Sequence, residues 1–181
     1  MDELARFASV EVTLRNGRRV RLREIRPDDR DEVRQAFARL SGESRYMRFM
    51  SFLKELSPRM LEGVVNPRER QLALVAEIDA PDGIDIVGVA RYIQGDGQAC
   101  EFAITVADDW QRVGLASRLM RELIGAAGAR GLQRMEGFVL ASNGPMLGLA
   151  RRLGFSLHAD PRDPTVVVVA LDLASGSPGA T

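Results

Sequence analysis

The chain has little of the residues that metal and redox chemistry rely on. Its 181 residues include one cysteine, Cys100, and one histidine, His158. A lone cysteine excludes an intrachain disulfide, and the two counts together exclude a Cys- or His-rich zinc centre, so no metal is expected. Charge of one sign is not in excess. The 25 Lys and Arg residues match 25 Asp and Glu, which removes whole-molecule attraction to nucleic acid or an anionic membrane. No apolar run reaches the length of a membrane span, and the opening MDELARFASV lacks the basic-then-apolar order of a secretory signal. A cytoplasmic protein with neither a nucleic-acid nor a membrane partner is expected; the oligomeric state is not legible.

The remainder has the balance of an ordinary globular domain, 45% apolar and 28% charged, long enough to bury a substantial core. Residues 1–173 are expected to form one domain, with ASGSPGAT (174–181) as a disordered tail. Val10–Leu14 and Val20–Ile25 alternate apolar and polar residues around Asn16-Gly17, which predicts a hairpin over 10–25. Arg26-Pro27-Asp28-Asp29 ends the second strand and starts a helix with Val33, Ala36, Phe37 and Leu40 on its apolar face. Short helices broken by Gly42, Pro58 and Pro67 follow. Leu72–Ile78, Ile84–Ile93 and Ala99–Val106 read as a three-strand meander with Gly- and Asp-rich turns. Then come a helix from about Gly114 to Ala129, a strand over Arg134–Leu140, a helix over Asn143–Leu153 and a last strand over Val166–Leu171. This order predicts an α/β (α+β) fold: a mixed, mostly antiparallel central sheet of about six to seven strands with helices on both faces.

Between the third meander strand and the long helix lies Gln111-Arg112-Val113-Gly114-Leu115-Ala116. A helix that starts straight after a strand offers unpaired N–H groups and the positive end of its dipole, which suits a phosphate. Gly114 lets such a ligand approach the backbone, and Ala116 keeps the first turn narrow. The spacing is neither GxGxxG nor GxxxxGK[ST], so the Rossmann and Walker motifs do not apply. On these six residues alone, an ordinary strand-to-helix turn fits equally well.

The surroundings carry more. The hexapeptide resembles the [RQ]xxGx[GA] acyl-CoA-binding motif of the GNAT superfamily of N-acetyltransferases, and Asn143 through Arg152-Leu153-Gly154-Phe155 resembles that family's second motif. Leu40-Ser41-Gly42-Glu43-Ser44-Arg45-Tyr46-Met47-Arg48-Phe49 and the strand Ala99-Cys100-Glu101-Phe102-Ala103 are similar to the acetyltransferase domain of bacterial Pat-type protein lysine acetyltransferases. Such proteins often add a cyclic-nucleotide-binding or acyl-CoA-synthetase-like regulatory domain, for which this chain is not expected to have room.

The resemblance implies an acetyltransferase with acetyl-CoA as cosubstrate. Ile104 and Val106 would run beside the pantetheine arm, the Ile104 amide acting as oxyanion donor. Gln111, Arg112, Val113, Gly114, Leu115, Ala116 and Ser117 would form the pyrophosphate loop, and Asn143 and Met146 would lie near the pantetheine. The acceptor would be an amine, with a protein lysine favoured. A free lysine is almost wholly protonated at pH 7, so the attacking nitrogen must lose a proton. Glu101 is the candidate general base: strand alternation puts it on one face with Ala99, Ala103 and Thr105, all small, opposite Cys100, Phe102, Ile104 and Val106. A solvent-facing glutamate would show the same pattern.

Asp108 and Asp109 are expected to brace the turn, Cys100 to pack in the core, and His158 to sit in a surface loop. Glu136 is a lesser groove candidate. One departure stands out. Many family members carry a tyrosine as general acid seven residues after the motif's Asn, where this chain has Ala150. Tyr46 is a weak substitute, and a packing tyrosine is the reading its sequence favours. A thiolate leaves readily, its pKa being about 8.5, so catalysis does not require the acid. A small-molecule amine acetyltransferase and a non-catalytic acyl-CoA sensor remain alternatives. The arginines from Arg15 to Arg26 alternate with apolar residues, as on a half-exposed hairpin, rather than forming a nucleic-acid face.

Overall fold

The computed structural model describes residues 6–174, and in it the alternating runs become one eight-stranded sheet, ordered β1-β2-β3-β4-β5-β6-β8-β7. The strands are β1 (Val10–Thr13), β2 (Arg19–Glu24), β3 (Gln71–Ala80), β4 (Gly83–Gln94), β5 (Ala99–Val106), β6 (Arg134–Leu140), β7 (Ser156–Asp160) and β8 (Asp163–Asp172). All neighbours pair antiparallel except β5 and β6. The helices are α1 (Arg30–Arg39), α2 (Gly42–Phe49), α3 (Pro58–Val65), α4 (Leu115–Ala129) and α5 (Gly144–Arg152).

The central strand β3 shows why helices must cover both faces. Leu72, Leu74 and Ala76 feed a core shared with Leu119, Met120 and Leu123 of α4 and Leu147 and Leu149 of α5. Ala73 and Val75, pointing the other way, feed a second core with Val33 of α1 and Leu61 and Val65 of α3. A strand buried on both sides reads as a near-continuous apolar run. The β3–β4 register slips between Ala76 and Glu77. Beside this bulge a Cβ on Gly88 would lie 2.9 Å from Leu119 Cδ1, so the missing side chain lets α4 settle close against the sheet.

Two expectations need correction. The sheet has eight strands rather than six or seven, because Ser156–Asp160, taken for a loop around His158, is β7. Its residues are mostly polar and half- or fully exposed, since it is an edge strand resting on β8 alone; no apolar alternation marks it. His158 itself is exposed, as read. Second, the hairpin arginines are not all half-exposed. Arg23 is only 4% exposed and donates to both Asp29 oxygens at 2.8 Å and to Glu77 Oε2 at 2.7 Å. Arg21 completes the cluster on Glu77 Oε1 at 2.9 Å. Asp29, expected to start the helix, makes no side-chain cap to α1; its carboxylate accepts from the Arg26 amide and from Arg23 instead. A buried cation holds its place only when surrounded by such acceptors. Of the expected tail, all but Ala174 lies outside the described residues.

Candidate active site

The parallel neighbours β5 and β6 pair over only Ala99↔Arg134, Cys100↔Met135 and Glu101↔Glu136. Beyond Glu101 they part, and β5 keeps only β4 as a partner. The wedge is aromatic. A Cβ on Gly137 would stand 2.4 Å from Phe102 Cε1, so the Phe102 ring occupies the space a side chain on β6 would need. The far side of that ring meets Phe155 edge-on, with centroids 5.4 Å apart.

The parting opens a cleft of about 1470 Å³, walled by the end of β5, the loop before α4, and the starts of α2 and α5. On the sheet face carrying α1 and α3 lies a second cavity of about 760 Å³, largely apolar, between those helices and β4 and β5. Glu101, Ala103 and Thr105 line both, so the two cavities meet at the face that alternation assigned to Glu101. Glu101 is exposed there. Arg48 from α2 and Arg91 from β4 lie beside it. Burial lowers the Arg48 guanidinium to about 10, with Arg91 pushing the same way and Glu101 opposing. Burial also lowers Arg91, again against Glu101.

The loop after β5 curls into a cradle of backbone ahead of α4. Asp108–Trp110 forms a 3-10 turn, with the buried Trp110 ring 3.2 Å beneath the Arg18 guanidinium. Asp108 Oδ1 accepts from the Ser41 amide at 3.4 Å, so that acid ties the turn to the start of α2, while Asp109 contributes only its backbone carbonyl, which accepts from Arg18 at 3.2 Å. The Gln111 side chain donates to the Val106 carbonyl at 3.1 Å, tying the loop to the strand end. Arg112 (φ 64°) and Gly114 (φ 89°) are both left-handed. Such curled backbone is what anion-binding nests are made from, and the α4 N-terminus follows directly.

Most of the sequence-predicted residues converge here: Ile104, Val106, Gln111, Arg112, Val113, Gly114, Ala116, Ser117, Asn143 and Met146 all line the larger cleft. Leu115 does not; its side chain is 1% exposed in the core, which leaves it only an amide to offer. Asn143 Oδ1 caps α5 by accepting from the Met146 amide at 3.2 Å. Tyr46, the weak candidate for the acid, packs its ring on Phe52 with centroids 4.8 Å apart and lines neither cavity. Tyr92 is 2% exposed and bonded by Arg130, and Ala150 is fully buried. Glu136 lines the smaller cavity but is engaged by Arg134 at 2.6 Å. Cys100 is 3% exposed, and burial pushes its thiol up to about 12.

Sequence reasoning missed Arg15. It projects from the β1–β2 turn onto the cradle, where a Cβ on Gly114 would stand 3.3 Å from its Nε. Nothing in a run of hairpin arginines distinguishes it; only the folded contact does. Arg15, Arg48, Arg112, Arg118, Arg121 and Arg152 line the large cleft against Glu43, Glu101 and Asp108, an excess of positive charge suited to a phosphate-bearing ligand.

Known proteins are similar to this chain in sequence and in fold. The family model for acetyltransferases (GNAT) matches residues 31–155. The acetyltransferase PA5475 of Pseudomonas aeruginosa is 38% identical over 175 residues, covering 92% of this chain and 94% of its own. The acetyltransferase Pat of Mycolicibacterium smegmatis is 30% identical over 166 residues, 84% of this chain but 46% of Pat, so the chain spans about half of that relative's length. The GNAT domain of S. lividans PAT superposes with a TM-score of 0.83 at 24% identity, covering 91% of this chain and 96% of that one. With its parted strands, its cradle loop and these relatives, the chain belongs to the GNAT acetyltransferase family and resembles its Pat-type domains.

Proposed function

We propose that this acetyltransferase uses Glu101 as general base to move the acetyl group of acetyl-CoA onto an amine, a protein lysine in the favoured case. The observation that carries this reading is the meeting of the two cavities at Glu101, an exposed carboxylate on an otherwise small-residue strand face. The cradle of Arg112–Ser117, with Arg15 beside it, takes the pyrophosphate; the unpaired edge of β5 at Ile104 and Val106 takes the pantetheine arm; Asn143 and Met146 flank it. The acceptor enters from the apolar cavity. Its nitrogen gives a proton to Glu101, directly or through water, and its lone pair attacks the thioester carbonyl carbon. The Ile104 amide stabilises the oxygen that becomes negative. The carbon–sulfur bond then breaks and coenzyme A departs as thiolate, which needs no strong acid.

Support for a protein acceptor comes from the Pat relatives and from the apolar mouth of the smaller cavity, where Ile93 and Phe138 stay 40% and 45% exposed. The test is acetyl-CoA turnover against lysine-containing proteins and small amines, with Glu101→Gln as the control. A loss of about 100-fold in kcat with coenzyme A affinity kept is expected, in the range general bases contribute. Full activity in that variant would overturn the base assignment, and turnover confined to small amines would overturn the protein acceptor.

A further inference from the structure

Among the described residues, three arginines without an ion pair line the smaller cavity: Arg59, which is exposed, and Arg48 and Arg91, which stand together beside Glu101. Arg91 forms no ion pair or hydrogen bond among the described residues, and its neighbour Arg48 has only the Phe49 ring, 4.6 Å from its guanidinium carbon. Arg48 Nε is buried without a hydrogen-bond partner. Both groups interact with the Glu101 carboxylate at long range, yet neither comes within the 4.0 Å of an ion pair. The other carboxylates that line the cavity form no ion pair with either group: Glu136 is taken by Arg134, and Asp96 lies in the β4–β5 turn. Arg23, which is fully buried where Arg48 and Arg91 are half-buried, has its donors occupied by Asp29, Glu77 and a carbonyl. Guanidinium groups inside a protein are ordinarily satisfied in that way, and two half-buried ones that face a cavity with no protein counter-ion in contact leave donors open to an acceptor carried by a ligand.

The register fixes where they lie. Arg91 pairs with Ala103, and Ile93 with Glu101, so Arg91 stands on the same face of the sheet as Glu101, one strand away. Arg48 lines both cavities and closes the same corner from α2. An acceptor ammonium entering this corner meets two cations and one carboxylate. A substrate that brings its own negative charge removes that repulsion and fills the open donors.

Resting on the proposed amine acetylation, we infer that Arg48 and Arg91 form an anion-binding subsite that selects an acceptor lysine next to an acidic side chain, Asp or Glu, in a polypeptide segment. The planar fork of arginine suits a carboxylate, and a charged hydrogen bond lost from such a site costs about tenfold or more in affinity. The apolar mouth at Ile93 and Phe138 accommodates the rest of the segment.

The test uses short lysine peptides blocked at both termini, differing only in Glu, Gln or Lys beside the acceptor. With the full chain, the Glu peptide should exceed the Gln peptide by about tenfold in kcat/KM, and the Lys peptide should be worst. In Arg91→Gln the Glu-to-Gln ratio should collapse toward one, while Arg91→Lys should keep part of it. Thermal melting checks that each variant is folded. A wild-type ratio of one, or an undiminished ratio in a folded Arg91→Gln protein, overturns the subsite. Calorimetric binding of the same peptides to the coenzyme A complex separates this from the parent reading. If no peptide is acetylated yet Glu-peptide binding depends on Arg91, the lysine acetylation falls and the anion subsite stands. If the peptides are acetylated without charge preference, the reverse holds.

Discussion

Gly114 and Arg15 are far apart in the sequence and meet over the cradle. At φ 89° the glycine sits where side chains are strained, and any Cβ would press toward the Arg15 guanidinium. Gly114→Glu adds bulk and negative charge where the pyrophosphate is proposed to lie. Its coenzyme A dissociation constant, read by calorimetry, should rise at least about tenfold, because a carboxylate is set against the phosphates where no charge stood. Arg15→Ala should weaken coenzyme A by a smaller factor, increasingly so at low salt, where less screening intervenes. Cys100 makes the opposite kind of prediction. Buried and with its thiol pushed up to about 12, it is no nucleophile at neutral pH. Alkylating reagent applied to the folded protein should leave acetyl-CoA turnover intact, and inactivation at a rate matching modification of Cys100 would contradict this.

Among the elements, α4 and β7 mark the limits of what a sequence makes legible. The period of Leu115, Leu119, Met120, Leu123 and Ala127 is written in the chain because all five are buried on one face. β7 has one paired neighbour and mostly polar residues, so its strand character comes from β8 and not from its own pattern. The site divides in the same way. The cradle and Glu101 were legible because a motif and an alternation stand in consecutive residues. Arg15, Arg48 and Arg91 were not, since they reach the site only through tertiary contact. Arg23 misled for a related reason: its apolar neighbours said hairpin, while the acids that bury it lie at Asp29 and Glu77. The parting of β5 and β6 belongs to this scale too. Gly137→Ala would set a methyl group against the Phe102 ring, a misfit that typically costs about 1–3 kcal/mol. The variant should melt several degrees lower, and an unchanged melting temperature would show that the ring moves freely.

For the whole molecule, the Arg23–Asp29–Glu77 cluster joins the hairpin to the central sheet and to the start of α1. Burial alone would raise the Asp29 carboxyl, yet Arg23 and the Arg26 amide hold it below its ordinary 3.8. A carboxyl lowered by folding stabilises fully above its ordinary value and loses that contribution as pH falls through the folded one. Stability should therefore drop below about pH 4, and Asp29→Asn should lose about 3 kcal/mol near neutrality and flatten that acid limb in chemical denaturation. On the proposed direct attack, acceptor and acetyl-CoA are held together before transfer, without an acyl-enzyme. Initial-rate plots should intersect, and parallel lines would argue against direct attack. A last consequence concerns motion. Where β5 loses β6 as a partner, the sheet carries an open edge in its interior, with amides that answer to solvent instead of to a neighbouring strand. Deuterium should enter the Ile104–Val106 stretch of the free protein sooner than the paired half of β5, and coenzyme A should slow it, so that the time course of exchange reports occupancy of the cleft without any acceptor present.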